Sequence, residues 1–465
     1  MLDVHDIQGN ILRGYRSNGH ARFLYFQLPA PDQARAGLAQ ILPHVTPAEW
    51  GGERPDATVN LAFTFAGLRQ LQLPADSLAS FPAEFQVGMA ARAPTLGDID
   101  ANAPDKWEPV WKSGAVHLLA MTYAGSATAL GKMSQLLEDT LQRHDFAKPG
   151  PGQDCEALPG GREHFGFRDG LSNPVVEDEP PVGDEKHRHR RRDKRGKPRP
   201  TAAGEFILGK PDEGGEVGIL PVPHLLIRNG TFLVLRKLQQ DVPRFRRFVA
   251  EQRQLAEAAW HAARGAAAPA LHADFIGAKM IGRWADGSPL TLCPNGPDPT
   301  RATTNDFTYV DDMAGAGCPL GAHIRRTNPR DTLGFDGELV DRHRLIRRGI
   351  SYGPELPIGK EDAKERGLMF LAFNASILRQ FEFVQQQWVQ YGDSFGLGND
   401  KDPLLGGSGK MIVPGDIRTG RPPLFCPLPE GELPQFMTLR GGDYFFVPSL
   451  TGLRLIAANQ VRTSL

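Results

Sequence analysis

Three short segments, far apart along the chain, carry residue types that could act together in catalysis. The first is Gly166-Phe167-Arg168-Asp169-Gly170, in which one acid lies on a glycine-flanked turn. The second, residues 321–326, contains His323, and the third, residues 345–349, contains Arg347. A carboxylate can move a proton, an imidazole can bind a metal and a guanidinium can stabilise developing negative charge. The GxxDG pentapeptide alone is ordinary turn sequence, so the prediction depends on all three segments.

The order of these segments resembles the dye-decolorizing peroxidases, a haem family with a GxxDG motif followed by a proximal histidine and a distal arginine. The resemblance extends from Asp6-Ile7-Gln8-Gly9-Asn10-Ile11-Leu12 to Tyr444-Phe445-Phe446-Val447-Pro448, nearly the whole chain. The segments 318–323 (CPLGAH) and 347–355 (RRGISYGPE) are most similar to the longer C/D-type, or class V, members. The resemblance implies a haem-dependent peroxidase that reduces hydrogen peroxide and oxidises dyes, phenols or similar aromatic donors.

The same resemblance implies one haem b per chain, with His323 as the axial iron ligand. A histidine ligand binds iron through one ring nitrogen while the other donates a hydrogen bond, and a carboxylate acceptor makes the ligand more basic. The sequence leaves that acceptor open between Asp402 and Glu382.

Asp169 and Arg347 are predicted to act on peroxide from the other side of the haem. Asp169 would take a proton from peroxide and return it to the departing oxygen, while Arg347 would stabilise the negative charge on that oxygen. Free carboxylic side chains ionise at about pH 4, so a carboxylate base predicts an acidic optimum for dye oxidation. Gly166 and Gly170 would let the backbone approach the porphyrin edge closely.

Other residues are assigned by resemblance. Leu368 and Phe370 would wall the distal pocket, because alternate residues of a strand share one face. Arg325 is a candidate partner for a haem propionate, with a surface salt bridge as the alternative. Bulky dyes cannot enter a small haem pocket, so redox-active side chains nearer the surface could carry electrons. The candidates are Tyr352, Trp388, Tyr444 and Trp260.

Hydrophobic periodicity predicts an α+β fold. Residues 61–71 and 371–381 are identical at six of eleven positions, and in both copies an apolar strand passes directly into a helix. This echo agrees with the family fold of two ferredoxin-like domains related by duplication, with antiparallel sheets, peripheral helices and the haem held mainly by the C-terminal half. The predicted parts are an N-terminal domain (1–148), a connecting segment with the GxxDG turn (149–223) and a C-terminal haem-binding domain (224–465).

Composition restricts the partners. The 53 basic and 54 acidic residues give a net charge of −1, which provides no global attraction to nucleic acid or membrane. Neither an apolar leader nor a run of about 18 apolar residues is seen, so a cytoplasmic location is expected. The basic block 186–199 lacks interleaved aromatic residues, which favours a solvated or disordered insert over a nucleic-acid arm. The sequence leaves the oligomeric state open between monomer and dimer.

An alternative function is a haem-binding protein for haem trafficking or iron recovery, with incidental peroxidase activity. Holding haem requires only His323 and an apolar pocket. The presence of both Asp169 and Arg347 therefore favours the enzyme.

Overall fold

The protein is represented by a computed structural model. It describes residues 1–15, 18–49, 55–180, 188–189, 191–192, 198–218, 220–265, 270–334, 337–407, 409–415, 423–426 and 431–462. Most of the basic block 186–199 lies outside the described residues, so the prediction for it is not addressed further.

The strands in the described part of the chain range from two to eleven residues. They are β1 (His20–Phe26), β2 (Ala57–Phe63), β3 (Leu118–Ala124), β4 (Gln153–Glu156), β5 (Asn173–Pro174), β6 (Arg188–His189), β7 (Arg191–Arg192), β8 (Pro198–Arg199), β9 (Thr231–Gln240), β10 (Ile346–Arg347), β11 (Ile350–Tyr352), β12 (Gly367–Asn374), β13 (Met411–Val413), β14 (Leu424–Cys426) and β15 (Met437–Val447).

The main sheet has nine strands, and every pair in it is antiparallel. Its order is β10-β12-β9-β15-β2-β3-β1-β4, with β11 also paired to β12. The strands β2, β3, β1 and β4 come from the first half of the chain, and the others come from the second. The halves meet where Phe446 of β15 pairs with Phe63 of β2.

The helices surround this sheet. They are α1 (Gly9–Leu12), α2 (Pro31–Ile41), α3 (Phe65–Gln70), α4 (Ala75–Ser80), α5 (Ala83–Val87), α6 (Met89–Leu96), α7 (Pro109–Lys112), α8 (Ala127–Gln142), α9 (His224–Ile227), α10 (Val242–Arg264), α11 (Phe275–Ile281), α12 (His323–Thr327), α13 (Glu338–Asp341) and α14 (Leu450–Ala457). No described helix combines the length and the apolar character needed to cross a bilayer.

Local sequence explains where the longer helices begin. The side chain of Ser126 accepts a hydrogen bond from Ala129 N at the start of α8, and Asp241 accepts one from Arg244 N at the start of α10. Such caps satisfy backbone donors that a first helical turn leaves without partners. α8 then buries Leu130, Leu137 and Leu141 as an amphipathic helix is expected to do.

The two halves are also joined by side chains. Phe81 and Phe85 from the first half contact Phe232 of β9, and Phe81 lies 5.4 Å from the ring of Phe446. Asp98 and Arg236 form a buried ion pair across the same junction, with oxygen to nitrogen distances of 2.5 and 3.0 Å. Among the described residues, the main hydrophobic core therefore continues across both halves.

The predicted α+β fold with two duplicated ferredoxin-like halves is confirmed, and the repeated strand-helix unit occurs in both. β2 leads into α3, whereas β12 leads into two π-helical segments, Ile377–Glu382 and Val384–Val389. The helix that the sequence predicts after the second apolar strand is therefore π-helical and not a regular α-helix. The domain boundaries at 148 and 223 stay a prediction.

Candidate active site

A cavity that is partly open to solvent lies beside the strands contributed by the second half of the chain. Asp169, His323 and Arg347 all line it, so folding brings the three sequence segments to one place. Its described lining begins at Glu163 and includes no residue of the predicted N-terminal domain, 1–148. The remaining walls come from β9, β12, α12 and the π-helical segments.

His323 is the first residue of α12, and its ring is fixed by a buried acid. Its Nδ1 lies 2.9 Å from Oδ2 of Asp402, while the amides of Leu404 and Leu405 donate to Oδ1 of the same carboxylate. Burial acts to raise the pKa of Asp402, but His323, the Leu405 amide and Arg326 outweigh it and lower the pKa. An ionised Asp402 requires Nδ1 to donate, which leaves the lone pair of Nε2 free to bind a metal.

Glu382, the other candidate partner of His323, is engaged elsewhere. Arg92 binds both of its carboxylate oxygens at 2.9 and 2.6 Å, and the hydroxyl of Tyr444 donates to it at 2.8 Å. The structure therefore decides between the two acids in favour of Asp402.

Asp169 lies on a turn whose backbone requires glycine. Gly166 has φ +101° and Gly170 has φ +71°, both in the region that side chains disfavour. The amide of Gly170 donates to Oδ1 of Asp169 at 2.5 Å, and the amide of Asp169 donates to Gly161 O at 2.8 Å. An added Cβ at Gly166 would meet no atom within 4 Å, so the glycine is required by conformation and not by space.

Arg347 lies opposite this turn, on the short strand β10. Its Nη1 is 3.6 Å from Oδ1 of Asp169, and its Nη2 donates to Leu171 O at 2.6 Å. Arg348 points away from the cavity and donates to the carbonyls of Asn10 and Ile11. Both Asp169 and Arg347 are about one-third exposed, at 32% and 35%, so a small molecule in the cavity can reach them.

Leu368 and Phe370 both line the cavity from β12. Met369 and Leu371 between and after them are fully buried on the opposite face. Alternate residues of β12 therefore share one face, as the sequence prediction assumed.

Arg325 does not line the cavity. Its Nη1 donates to the carbonyls of Asp312 and Cys318 and lies 3.3 Å from the Asp312 carboxylate, and the guanidinium stacks 4.3 Å from the Tyr309 ring. Arg325 is thus held in a buried ion pair with Asp312 outside the cavity, and this position gives no support to the propionate assignment.

Three other buried arginines line the cavity instead. They are Arg283, Arg330 and Arg344. Burial lowers the pKa of Arg283 to about 9, and the positive charge of Arg330 nearby is the second cause. Burial also lowers the pKa of Arg344 to about 10. Arg283 and Arg330 donate mainly to neutral oxygens, including Asn305 and backbone carbonyls. Buried cations are costly without anionic partners, so this end of the cavity fits negatively charged groups on a ligand.

The cavity as a whole fits a haem. A histidine nitrogen with a free lone pair faces it, the apolar walls include Leu368, Phe370 and Leu404, and the buried arginines suit propionates. This combination of an imidazole, an apolar slot and a cationic end is what an iron porphyrin requires.

The proposed electron-carrying aromatics are all buried. Tyr352, Trp388 and Tyr444 are 3%, 2% and 1% exposed, and Trp260 is 7% exposed. None of them presents its ring to solvent, so the expectation of a relay at the surface does not fit these four residues.

Sequence reasoning missed a second carboxylate in the cavity. Glu163 accepts hydrogen bonds from the amides of Phe165 and Phe167 and from Gln240 Nε2. Burial raises its pKa to about 7 despite these bonds. The available signal was its position, six residues before Asp169 on the same turn.

Comparisons with known proteins agree with this description. A family model described as the DyP dimeric alpha+beta barrel domain matches residues 6–145. A dye-decolorizing peroxidase from Mycena epipterygia is 30% identical, and the match covers 98% of this chain and 87% of that protein. An ancestral D-type dye-decolorizing peroxidase has a TM-score of 0.81 at 28% identity, covering 97% of this chain and 98% of that one. A dye-decolorizing peroxidase in complex with 2,6-dimethoxyphenol has a TM-score of 0.77 at 27% identity, covering 98% and 100%.

The fold, the cavity and these matches define the class of protein as a haem peroxidase. The chain belongs to the dye-decolorizing peroxidase family, and the predicted relationship to its longer C/D-type members is confirmed. Its enzymatic activity is that of a peroxidase.

Proposed function

We propose that this peroxidase uses Asp169 as its acid-base catalyst, Arg347 as its charge-stabilising group and His323 as its axial ligand. The observation that supports this most directly is that all three side chains line one cavity, with Asp169 and Arg347 3.6 Å apart.

Asp169 moves the proton. Its carboxylate takes a proton from one oxygen of hydrogen peroxide and returns it to the other as the O–O bond breaks. The Gly170 amide holds one carboxylate oxygen in place, so the group does not have to reorganise during the transfer.

Arg347 stabilises the negative charge that develops on the departing oxygen. Its Nη2 donates to Leu171 O, and its Nη1 lies 3.6 Å from Asp169, so Nη1 is the donor beside the carboxylate that moves the proton. A planar guanidinium with several donors suits this role.

One haem b per chain would supply the two electrons that reduce peroxide and would store the two oxidising equivalents for the later oxidation of the donors. His323 would hold it through Nε2, and the Asp402 carboxylate makes the imidazole more electron-donating. Arg283, Arg330 and Arg344 would bind its propionates.

The reducing substrates are dyes, phenols and similar aromatic donors, in line with the relative that binds 2,6-dimethoxyphenol. The optimum is acidic, because a carboxylate base remains ionised at a pH where a histidine base would be protonated. A cytoplasmic location is part of the proposal, and monomer and dimer remain open.

Absorption spectra of the purified protein, recorded before and after adding hydrogen peroxide, test this assignment. The parent is expected to show a Soret band that shifts on mixing with peroxide. Asp169→Ala and Arg347→Leu should bind haem, but their Soret bands should shift slowly after peroxide is added. His323→Ala should bind haem poorly. A haem-trafficking protein would instead bind haem equally well without reacting, and three variants that react like the parent would overturn the assigned roles.

A further inference from the structure

We propose that Asn173 is a positioning residue that holds Arg347 in its working position by binding both backbone groups of that residue. The inference rests on the proposed role of Arg347. The side-chain oxygen of Asn173 accepts from Arg347 N at 2.9 Å, and its side-chain nitrogen donates to Arg347 O at 3.1 Å.

The geometry of β10 explains why Arg347 needs such a partner. β10 is two residues long and lies at the edge of the main sheet, paired only with β12. Successive residues of an edge strand direct their backbone groups alternately toward the neighbouring strand and away from it. Arg348 N bonds to Leu371 O on β12, so the amide of Arg347 points outward.

Asn173 makes the hydrogen bonds to the outer side of β10 that a neighbouring strand would otherwise make. A side-chain amide has one acceptor and two donors, so it can bond to a peptide N–H and C=O at the same time. The Arg347 carbonyl has one further donor, Arg348 Nη1 at 3.3 Å, but the amide of Arg347 has no other recorded acceptor in the described structure. Asn173 is 6% exposed, so water cannot easily replace it.

The same turn also sets the distance between Arg347 and Asp169. Asn173 follows Asp169 by four residues, and Leu171 O between them binds the Arg347 guanidinium. Ser172 has φ +65°, and its carbonyl accepts from Arg344 Nη2 at 2.8 Å. One rigid turn therefore carries Asp169 and holds both the backbone and the side chain of Arg347.

Asn173→Ala removes both bonds and tests the proposal directly. We expect haem binding by the apoprotein, measured by hemin titration, to remain within about twofold of the parent, whereas kcat/KM for peroxide falls about 100-fold, as small displacements of catalytic groups do. In 15N-labelled protein without peroxide, the Arg347 amide should exchange with deuterium faster than in the parent.

A double-mutant cycle with Arg347→Leu shows whether Asn173 acts through Arg347. If it does, Asn173→Ala causes no further loss in the Arg347→Leu background. A fully additive loss would overturn the proposal. If Arg347→Leu itself reacts like the parent, the proposed function fails, and that result is distinct from failure of this inference.

Two further variants complete the test. Asn173→Asp keeps the acceptor for the amide of Arg347 and should fold even if the alanine variant does not; we expect a loss of about 10-fold, typical of changes to supporting side chains. A parent-like rate for it would overturn the proposal.

Asn102→Ala is the matched control, because its side chain accepts from Leu439 N on β15 away from the cavity. We expect it to leave the peroxide reaction unchanged, and a loss equal to that of Asn173→Ala would overturn the proposal by showing that any such bond has this effect.

Discussion

His323 and Asp402 are 79 positions apart in the chain, yet their side chains meet at 2.9 Å in the wall of the cavity. The acid is buried and accepts two backbone amides on its other oxygen, so it is held in place independently of the histidine. A buried anion bound to the ring makes the opposite nitrogen a better electron donor to a metal.

Asp402→Asn should therefore raise the reduction potential of the haem iron. The amide has one acceptor oxygen where the carboxylate has two, so it cannot serve both His323 and the Leu404 and Leu405 amides, and it removes the negative charge that favours the more oxidised iron. A spectroelectrochemical titration measures the potential of both proteins. A variant with an unchanged potential would show that the charge of Asp402 does not reach the metal.

Asp169→Asn should slow the reaction with peroxide by about 10² to 10⁴-fold, the range expected when an acid-base group is removed. Haem content should not change, because Asp169 is not a ligand. Stopped-flow mixing with peroxide gives the rate. A variant that reacts as fast as the parent would assign the proton transfer to another group.

Arg347→Leu should slow the same step by about 10² to 10³-fold, the effect of removing one charge-stabilising donor. Arg348→Leu is the matched control, because Arg348 binds the carbonyls of Asn10 and Ile11 outside the cavity and contacts Arg347 at its backbone carbonyl, at 3.3 Å. Equal losses in the two variants would argue against a specific role for Arg347.

Glu163→Gln should change the way stability depends on pH. Burial raises the pKa of Glu163 to about 7, above the value of 4.5 expected for the unfolded chain. Between these values the folded protein binds more protons at this site than the unfolded chain, so the contribution of Glu163 to stability falls as pH rises toward 7. Glutamine cannot ionise and lacks this dependence.

Urea unfolding at pH 5 and pH 8 measures the effect. The free energy of unfolding of Glu163→Gln relative to the parent should increase by roughly 1 to 3 kcal/mol between the two pH values. A difference that stays constant, or decreases, would show that Glu163 ionises normally in the folded protein.

Gly166→Ala should destabilise the protein by about 1 to 3 kcal/mol, because an alanine at φ +101° is strained although its Cβ meets no atom. Gly131→Ala is the matched control. Gly131 lies inside α8 with open space around it, so alanine there should stabilise by about 0.5 to 1 kcal/mol. Thermal unfolding should show a lower melting temperature for Gly166→Ala and a higher one for Gly131→Ala than for the parent. Equal changes in melting temperature would contradict the strain argument.

The repeat of an apolar strand that passes directly into a helix predicted β2 with α3, and β12 with the segment that follows it. The π-helical form of that second segment near Phe383 was not predicted, because apolar spacing that suits an α-helix also suits a π-helix.

The sequence by itself determined the family and the three segments that carry Asp169, His323 and Arg347, because their residue types and order are written along the chain. Only the tertiary structure decided that Asp402 binds His323, that Arg325 is paired with Asp312 and that Asn173 binds Arg347. These contacts join positions that are separated in sequence by loops, or that have several possible partners, and spacing does not determine which polar groups are buried against each other. The fold decides them because each buried charge or amide must find a partner within hydrogen-bond distance.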